Sequence, residues 1–148
     1  MSVKTERDYS NRSLFEKLGV RSDMHVAICG ITEERFVLEL NARLASAASQ
    51  HLRTKYDAIF VQIDAPRDLA RIARGAAHLK PDGALWVFHP KGRGASPTDA
   101  EVRAAGIAAG LVDNKISALS DTHTATRYVI PVAKRPSGSS RPDSNLTS

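Results

Sequence analysis

The sequence contains a single cysteine, Cys29, among its 148 residues. A disulfide framework within the chain and a cysteine-rich zinc site are therefore both excluded. Cys29 stands in an apolar stretch, where a lone cysteine is most often a small buried hydrophobic residue. The five histidines are scattered along the chain without the paired spacing of metal ligands, so we expect no metal site.

Long apolar runs are also missing. No stretch approaches the roughly 20 apolar residues of a membrane span, and the start of the chain (MSVKTERD) lacks the apolar core of a signal peptide. We therefore expect a soluble, cytoplasmic protein with no membrane partner. Aromatic residues make up only 5% of the sequence, so alanine, leucine, valine and isoleucine must form most of the core.

The motifs of several enzyme and binding classes are absent as well. No Gly-x-Ser-x-Gly sequence marks a nucleophilic serine, and only Gly30 stands where the dinucleotide fingerprint needs three glycines. The net charge of +5 permits anionic partners, but the basic residues are spread along the chain and no aromatic-rich RNA-binding face is visible. The sequence thus argues against nucleic-acid binding, and it leaves the oligomeric state open.

What the sequence does contain is a strongly apolar stretch at its centre. Residues Ala84 to Phe88 are all apolar, without alternation, which is typical of a strand covered on both faces. Pro81 and Gly83, just before it, predict a tight turn. The order of the predicted elements is strand, helix, strand, helix, strand, helix and a hairpin. Right-handed connections make the first three strands parallel.

This order predicts an α/β fold, namely a small Rossmann-like three-layer αβα sandwich with a mostly parallel sheet and a C-terminal antiparallel hairpin. We expect one domain over residues 13–134, an N-terminal arm over 1–12 and a disordered polar tail over 135–148. Residues 42–53 fit either more helix or a short strand followed by a loop.

Two of the predicted helices have residues typical of a helix start, and a third has a basic face. Thr32 can cap a helix that runs to about residue 44, and Ser96 with Pro97 can start the last helix. On the helix predicted over 67–79, basic side chains lie opposite the apolar face. They form either a solvated surface or a surface for an anionic partner. These residues are Arg67, Arg71, Arg74 and His78.

Two stretches resemble a known fold family. The sequence LKPDGALWV, from Leu79 to Val87, looks like the start of the fifth strand of class I methyltransferases, and Gly110 to Val112 with the hairpin resembles their last two strands. More closely, the chain from about Tyr9 to Lys134 is similar to a family of small bacterial Rossmann-like proteins, a domain of unknown function. That resemblance implies the fold but no activity. The matching stretches are Leu18–Val20, Pro81–Val87, Pro90–Lys91 and Ala109–Lys115.

The sequence departs from these methyltransferases where they bind S-adenosylmethionine. Their first strand ends in an acidic residue and a glycine-rich loop, which Ile28 to Glu33 (ICGITE) does not reproduce. Their second strand ends in a carboxylate for the ribose hydroxyls, and no second strand of that kind is predicted here. Glu33 and Glu34 would also repel an anion from the start of the next helix. We therefore expect a module without the usual cofactor site.

The carboxyl ends of parallel strands share one edge of the sheet, where open α/β proteins bind ligands. Lys91 and Arg93 can bind a carboxylate or phosphate there, and His89 can move a proton near neutral pH. Asp64 can orient a substrate, although it can equally cap the next helix, with Lys91 and Arg93 merely solvated. The candidate site residues at this edge are Gly30, Asp64, His89, Lys91 and Arg93.

Two hypotheses of function follow from these residues. The first is a Rossmann-like module that binds a small anionic ligand or a protein partner near Lys91. The alternative is a divergent S-adenosylmethionine-dependent methyltransferase, which an occluded or absent pocket beside Gly30 would exclude. The residues decide neither whether the protein is an enzyme nor which cofactor it uses.

Overall fold

The computed structural model describes residues 12–135, and most of the predicted arm and tail lies outside these residues. The first two helices are α1 (Arg12–Lys17) and α2 (Glu34–Ala42), and the strands of the first half are β1 (Val26–Cys29) and β2 (Tyr56–Gln62). The other elements are a 3₁₀ turn (Pro66–Leu69), α3 (Ala70–Ala76), β3 (Leu79–Pro90), α4 (Asp99–Ala108), β4 (Val112–Ala118), β5 (His123–Val129) and a second 3₁₀ turn (Val132–Lys134).

The strands form one five-stranded sheet in the order β1-β2-β3-β5-β4. The pairs β1–β2 and β2–β3 are parallel, whereas β5 is antiparallel to both of its neighbours. Strand β5 therefore inserts between β3 and β4, and β4 becomes the edge. This arrangement confirms the predicted α/β fold with a mostly parallel sheet and a C-terminal hairpin.

Helices cover both faces of the sheet and make two separate cores. On one face, Phe15 and Leu18 near α1 and Phe36 and Leu40 of α2 pack with sheet residues that include Phe60. On the other face, α3 and α4 contribute Ile72 and Val102, which pack with Ile59, Leu85 and Tyr128 among others. Successive side chains of β2 and β3 point to opposite faces of the sheet and so pack in both cores. This is why the sequences of these two strands are continuously apolar.

The predicted turn before the central strand is a bulge inside β3. Tyr56 pairs with Leu79, but Ala58 pairs with Ala84, so the residues from Lys80 to Gly83 lie opposite Asp57 alone. At Gly83 a Cβ atom would lie 2.8 Å from the Tyr56 carbonyl oxygen, so this close approach requires glycine. Pro81 and Gly83 are therefore strand residues, because pairing with β2 starts before them.

Neither alternative for residues 42–53 is correct. Helix α2 ends at Ala42, and most of the following segment is irregular. Its single extended contact is a parallel bridge between Ser49 and Ala27 of β1.

Both predicted helix caps are displaced. Glu33, not Thr32, stands at the start of α2, and it makes no side-chain capping bond. Thr98, not Ser96, caps α4: its hydroxyl accepts from the Glu101 N–H at 3.1 Å, and the Glu101 carboxylate accepts from the Thr98 N–H at 2.9 Å. This reciprocal pair needs a Thr-x-x-Glu spacing, which Ser96 does not have.

None of the helices between residues 12 and 135 combines the length and the apolar character that crossing a membrane requires.

Candidate ligand site at the carboxyl ends of the strands

An open cavity of about 400 Å³ lies beside Gly30, at the carboxyl end of β1. We call it the Gly30 cavity. Its apolar wall is formed by Ile28, Ile31, Val37 and Leu38, and its polar side chains include Glu34 and Gln50. The volume falls in the range of small-molecule and cofactor sites, about 300–1,000 Å³. Leu38 is 70% exposed, so part of the apolar wall faces solvent rather than the core.

The backbone of the preceding residue, Ser49, positions Gln50 in the lining of the Gly30 cavity. Ser49 donates its N–H to the Val26 carbonyl at 2.9 Å, and its own carbonyl accepts from the Ile28 N–H at 2.8 Å. Ser49 therefore occupies the place of one strand residue along the outer edge of β1. Gln50 follows it at the carboxyl end of this reduced strand, in the Gly30 cavity.

Arg71 covers the other side of Gly30. Gly30 has a φ of +78°, and a Cβ atom built there would collide with the Arg71 guanidinium group. Arg71 donates to the Gln62 carbonyl at 2.6 Å, at the end of β2, and pairs with Asp68 at 3.4 Å. Glycine at position 30 thus lets a cation pack directly on the backbone.

Asp68 in turn holds the loop after β2. One of its oxygens accepts from the backbone N–H groups of Asp64 and Ala65, at 3.0 and 3.1 Å. The hydrogen bond from the Asp64 N–H and the positive charge of Arg71 lower the pKa of Asp68. Asp68 is therefore a carboxylate at neutral pH, which keeps Arg71 in position.

Asp64 pairs with a histidine from the hairpin. The Asp64 carboxylate lies 2.8 Å from Nε2 of His123 and 3.0 Å from the Gln62 amide nitrogen. The other ring nitrogen of His123 lies 2.9 Å from the Thr122 hydroxyl. Asp64 does not cap the next helix with its side chain. Asp64 and His123 instead form a hydrogen-bonded pair at the edge of the sheet.

His89 is buried below this edge instead of lining it. Its side chain is only 4% exposed, and it faces α4 and β5. Nδ1 lies 3.3 Å from the Pro90 carbonyl, which can only accept, so Nδ1 carries the hydrogen and Nε2 accepts from the Thr126 hydroxyl at 2.9 Å. Burial lowers the pKa of His89, so the ring is neutral at pH 7.

Lys91 and Arg93 lie in the loop after β3 with exposed side chains. The Lys91 N–H donates to the Thr122 carbonyl at 3.1 Å, which ties this loop to the hairpin. Of the five predicted residues, Asp64 and His89 both approach the hairpin strand β5, whereas Gly30 belongs to a separate cluster with Arg71. The structure therefore divides the predicted site into two parts.

Within residues 12–135, no group of three or more histidine, cysteine, aspartate or glutamate side chains could hold a metal ion.

Three contributors to this edge are missing from the sequence prediction. The sequence predicts Arg71 on the basic helix face, as a solvated residue or a contact for an anionic partner. The structure instead places it early in α3, after the 3₁₀ turn, where it packs over Gly30. Arg67 and Arg74 of that basic face are exposed as expected. His123 reaches Asp64 across 59 positions of sequence, and Gln50 reaches the Gly30 cavity from an irregular segment. Neither position carries a local sequence signal.

Comparisons with known proteins identify structures with a similar fold. No protein-family model matches the chain, and a search of curated proteins finds no significant match. Among solved structures, magnesium protoporphyrin IX methyltransferase from Synechocystis PCC 6803 with bound S-adenosylmethionine is similar, with a TM-score of 0.61 and 12% identity over 79% of this chain and 74% of that one.

Two further methyltransferases superpose comparably. The CcbJ methyltransferase from Streptomyces caelestis has a TM-score of 0.58 and 9% identity, and the match covers 83% of this chain and 89% of that one. A SAM-dependent methyltransferase from Aquifex aeolicus has a TM-score of 0.57 and 11% identity over 80% of this chain and 88% of that one. At these identities the similarity concerns the fold, and the chain has the Rossmann-like fold of S-adenosylmethionine-dependent methyltransferases.

Proposed function

We propose that the protein binds S-adenosylmethionine in the Gly30 cavity and is a divergent methyltransferase. The observation that carries this proposal is the open, largely apolar cavity at the carboxyl end of β1, in a chain whose structural neighbours are methyltransferases. An occluded pocket beside Gly30 would have argued against it. The proposal therefore favours the methyltransferase hypothesis over a module without the cofactor.

The apolar wall fits the adenine ring. Ile31, Val37 and Leu38 present aliphatic side chains to the cavity, and such surfaces stabilise a planar base by excluding water from its faces. Because Leu38 is exposed in the free protein, covering it with a ligand contributes favourable free energy.

The polar side chains fit the rest of the molecule. S-adenosylmethionine carries positive sulfonium and ammonium groups, and Glu34 supplies a carboxylate in the cavity. A carboxylate at the start of a helix disfavours phosphate, so Glu34 selects against nucleotides. Gln50 follows the residue that bridges to β1, and its amide can hydrogen-bond to ribose hydroxyls.

The cofactor, when bound, supplies an electrophilic methyl group. The residues of the chain then have to position an acceptor and remove its proton. Asp64 and His123 are suited to the second task, because the carboxylate, 2.8 Å from Nε2, orients the imidazole as a general base. This pair lies at the neighbouring strand ends, near the loop of Lys91.

The test is calorimetric titration of the full chain with S-adenosylmethionine, comparing wild type with two neighbouring substitutions. Glu34→Gln removes the cavity carboxylate and is expected to weaken binding about 10-fold, the cost of losing a charged hydrogen bond. Glu33→Gln changes an equally exposed glutamate that does not line the Gly30 cavity, and it should leave the affinity unchanged.

A third substitution is expected to improve binding. Gln50→Glu restores a carboxylate where the resembled methyltransferases place one, and a charged acceptor binds hydroxyls more strongly than an amide does. We expect a severalfold gain in affinity. Absence of saturable binding by the wild type at millimolar cofactor would refute the proposal.

Lys91→Ala distinguishes the two hypotheses of function. Under the proposed function this variant binds S-adenosylmethionine as the wild type does, since Lys91 does not line the Gly30 cavity. If the wild type instead binds citrate or inorganic phosphate and Lys91→Ala abolishes that binding, the protein is the anion-binding module.

A further inference from the structure

A second cavity, of about 220 Å³, lies on the other half of the sheet, between α4 and strands β3, β5 and β4. We call it the Tyr128 cavity. It shares no lining residue with the Gly30 cavity. Its floor is formed by Tyr128, His89 and Thr126, and its mouth by Asp99, Arg103 and Asp113. The lining residues are thus mostly polar, and the proposed function does not use their side chains.

Tyr128 is the unusual member of this cavity. The residue is only 2% exposed, yet within residues 12–135 no group forms a hydrogen bond with its phenol oxygen. The ring cannot easily move away, because it packs against Gly106, where a Cβ atom would lie 2.5 Å from the ring carbon Cε1. A buried polar group without a partner is costly, and it is commonly satisfied by water or by a ligand.

The protonation state of Tyr128 determines which kind of hydrogen bond its phenol can form with a ligand. Burial, and then the negative charge of Asp113, raise the pKa of Tyr128 to about 12. The phenol therefore keeps its hydrogen at neutral pH. A ligand that satisfies it must present an oxygen or nitrogen lone pair at the floor of the cavity.

The other two polar side chains at the floor already have hydrogen-bond partners. Thr126 donates its hydroxyl hydrogen to Nε2 of His89 at 2.9 Å, and Nδ1 faces the Pro90 carbonyl at 3.3 Å and Asp99 at 3.5 Å. Because His89 is neutral, the floor carries no net charge. It has no group that would stabilise a buried ion by itself.

The mouth carries an excess of negative charge. Asp99 and Asp113 are both carboxylates, and Arg103 pairs with Asp113 at 3.5 Å. The lining as a whole therefore bears about one net negative charge. Asp99 is 78% exposed, so besides its contact with Nδ1 of His89 its carboxylate can reach a cation that enters from solvent.

From this distribution of groups we infer that the Tyr128 cavity binds a small primary amine that also carries an oxygen acceptor, of the size of an amino alcohol. The oxygen accepts the hydrogen bond of the Tyr128 phenol at the floor, and the ammonium group lies between the Asp99 and Asp113 carboxylates at the mouth. The cavity volume suits a molecule of a few heavy atoms.

The probe for this site is ethanolamine, followed by protein amide chemical shifts in NMR spectra during titration to high millimolar concentration. Ethylamine lacks the hydroxyl group and ethylene glycol lacks the amine, so the two together serve as matched controls. We expect saturable shifts confined to α4, β4 and β5 with ethanolamine, and at least severalfold weaker binding of both controls.

Tyr128→Phe tests the assigned contact without removing the ring that packs on Gly106. Its affinity for ethanolamine should fall about fivefold, the effect of one hydrogen bond. Its melting temperature should equal or exceed that of the wild type, because the free protein leaves the phenol without a protein partner. Asp121→Asn, in the exposed hairpin loop, is the charge control and should bind normally.

Three results would overturn the inference. The first is the absence of saturable shifts with ethanolamine, which would leave an ordinary hydrated cavity. The second is equal affinity of wild type and Tyr128→Phe. The third is a lower melting temperature of Tyr128→Phe, which would mean that the phenol already has a partner in the folded protein.

Discussion

The two halves of the sheet differ in how completely their strands are covered. In the parallel half, β1 is buried along its whole length and β2 is buried at most positions. In the antiparallel half, the edge strand β4 is largely exposed, and its Ile116 is 68% accessible. The Gly30 cavity of the first half has an apolar wall, whereas the Tyr128 cavity of the second half is lined mostly by polar residues.

The two halves differ in where their polar side chains lie. Where helices cover both faces of a strand, a polar side chain in the middle of that strand would be buried without water, so polar groups move to strand ends and loops. Around the Gly30 cavity, Glu34 and Gln50 both come from outside the strands. In the antiparallel half, the polar side chains Thr126 and Tyr128 lie on the sheet face itself although both are buried. The Thr126 hydroxyl has His89 as its hydrogen-bond partner, and Tyr128 lines the Tyr128 cavity. The cavity of the antiparallel half therefore takes most of its lining residues from the strands.

The largest expected effect on stability comes from comparing a substitution in the core with one on the edge strand. Phe60 is fully buried, and its ring centroid lies 5.7 Å from those of Phe36 and Phe88. Phe60→Ala should lower the free energy of unfolding by about 3–5 kcal/mol, whereas Ile116→Ala on the edge strand should change it by less than about 0.5 kcal/mol. Urea unfolding measures both, and equal losses would contradict the contrast between the halves.

The next effect concerns the packing of α4 on Tyr128. Gly106→Ala places a methyl group against the ring at 2.5 Å, so it should cost about 1–3 kcal/mol despite the better helix propensity of alanine. Thermal unfolding should also show that Gly106→Ala and Tyr128→Leu are not additive, since the smaller leucine side chain relieves the collision. Additive losses would mean that the two residues do not share a contact.

A smaller effect separates the predicted cap of α4 from the observed one. Thr98→Ala removes the hydroxyl that accepts from Glu101 and should destabilise the protein by about 1 kcal/mol. Ser96→Ala, two residues earlier, should have no measurable effect in the same denaturant titration. The reverse result would restore Ser96 as the cap and displace the start of α4.

The smallest expected effect is on the pH dependence of stability. Burial lowers the pKa of His89 from its ordinary value of 6.5, so below about pH 6.5 the unfolded chain binds a proton that the folded protein resists. Stability that is present at pH 7 is then lost progressively as the pH falls. His89→Gln should flatten this loss between pH 7 and 5 in melting-temperature measurements. Parallel profiles for the two proteins would show that His89 does not contribute.

The fold was largely predictable because it depends on local patterns. The continuously apolar stretches of β2 and β3, and the apolar face of the helix between them, predict buried parallel strands with a helical crossover. Predictions for individual residues were wrong where a contact with a distant part of the chain, or a better partner, competed with a local signal. Pro81 and Gly83 form a good turn locally, but pairing with β2 turns them into a bulge. Ser96 is a good local cap, but Thr98 has the glutamate partner.

The candidate site was less predictable, since side chains meet there from distant parts of the chain. The position of Gly30 at a strand end follows from the sequence, but the cation that covers it comes from Arg71, which the sequence places on the helix face opposite the sheet. His89 was placed at the edge of the sheet because it ends a strand, yet alternation puts its side chain on the face covered by α4. Whether a residue at a strand end points outward or under a helix depends on register.

The sequence by itself determined the fold class of this protein. The pattern of its apolar residues required a sheet covered by helices, and right-handed connections made its first three strands parallel. Only the tertiary structure decided which polar groups meet. The Asp64–His123 pair and the Arg71–Gly30 contact both join residues more than 40 positions apart. Apolar burial is additive and is therefore visible along the chain, whereas a hydrogen bond depends on a distance of about 3 Å that only the packed chain fixes.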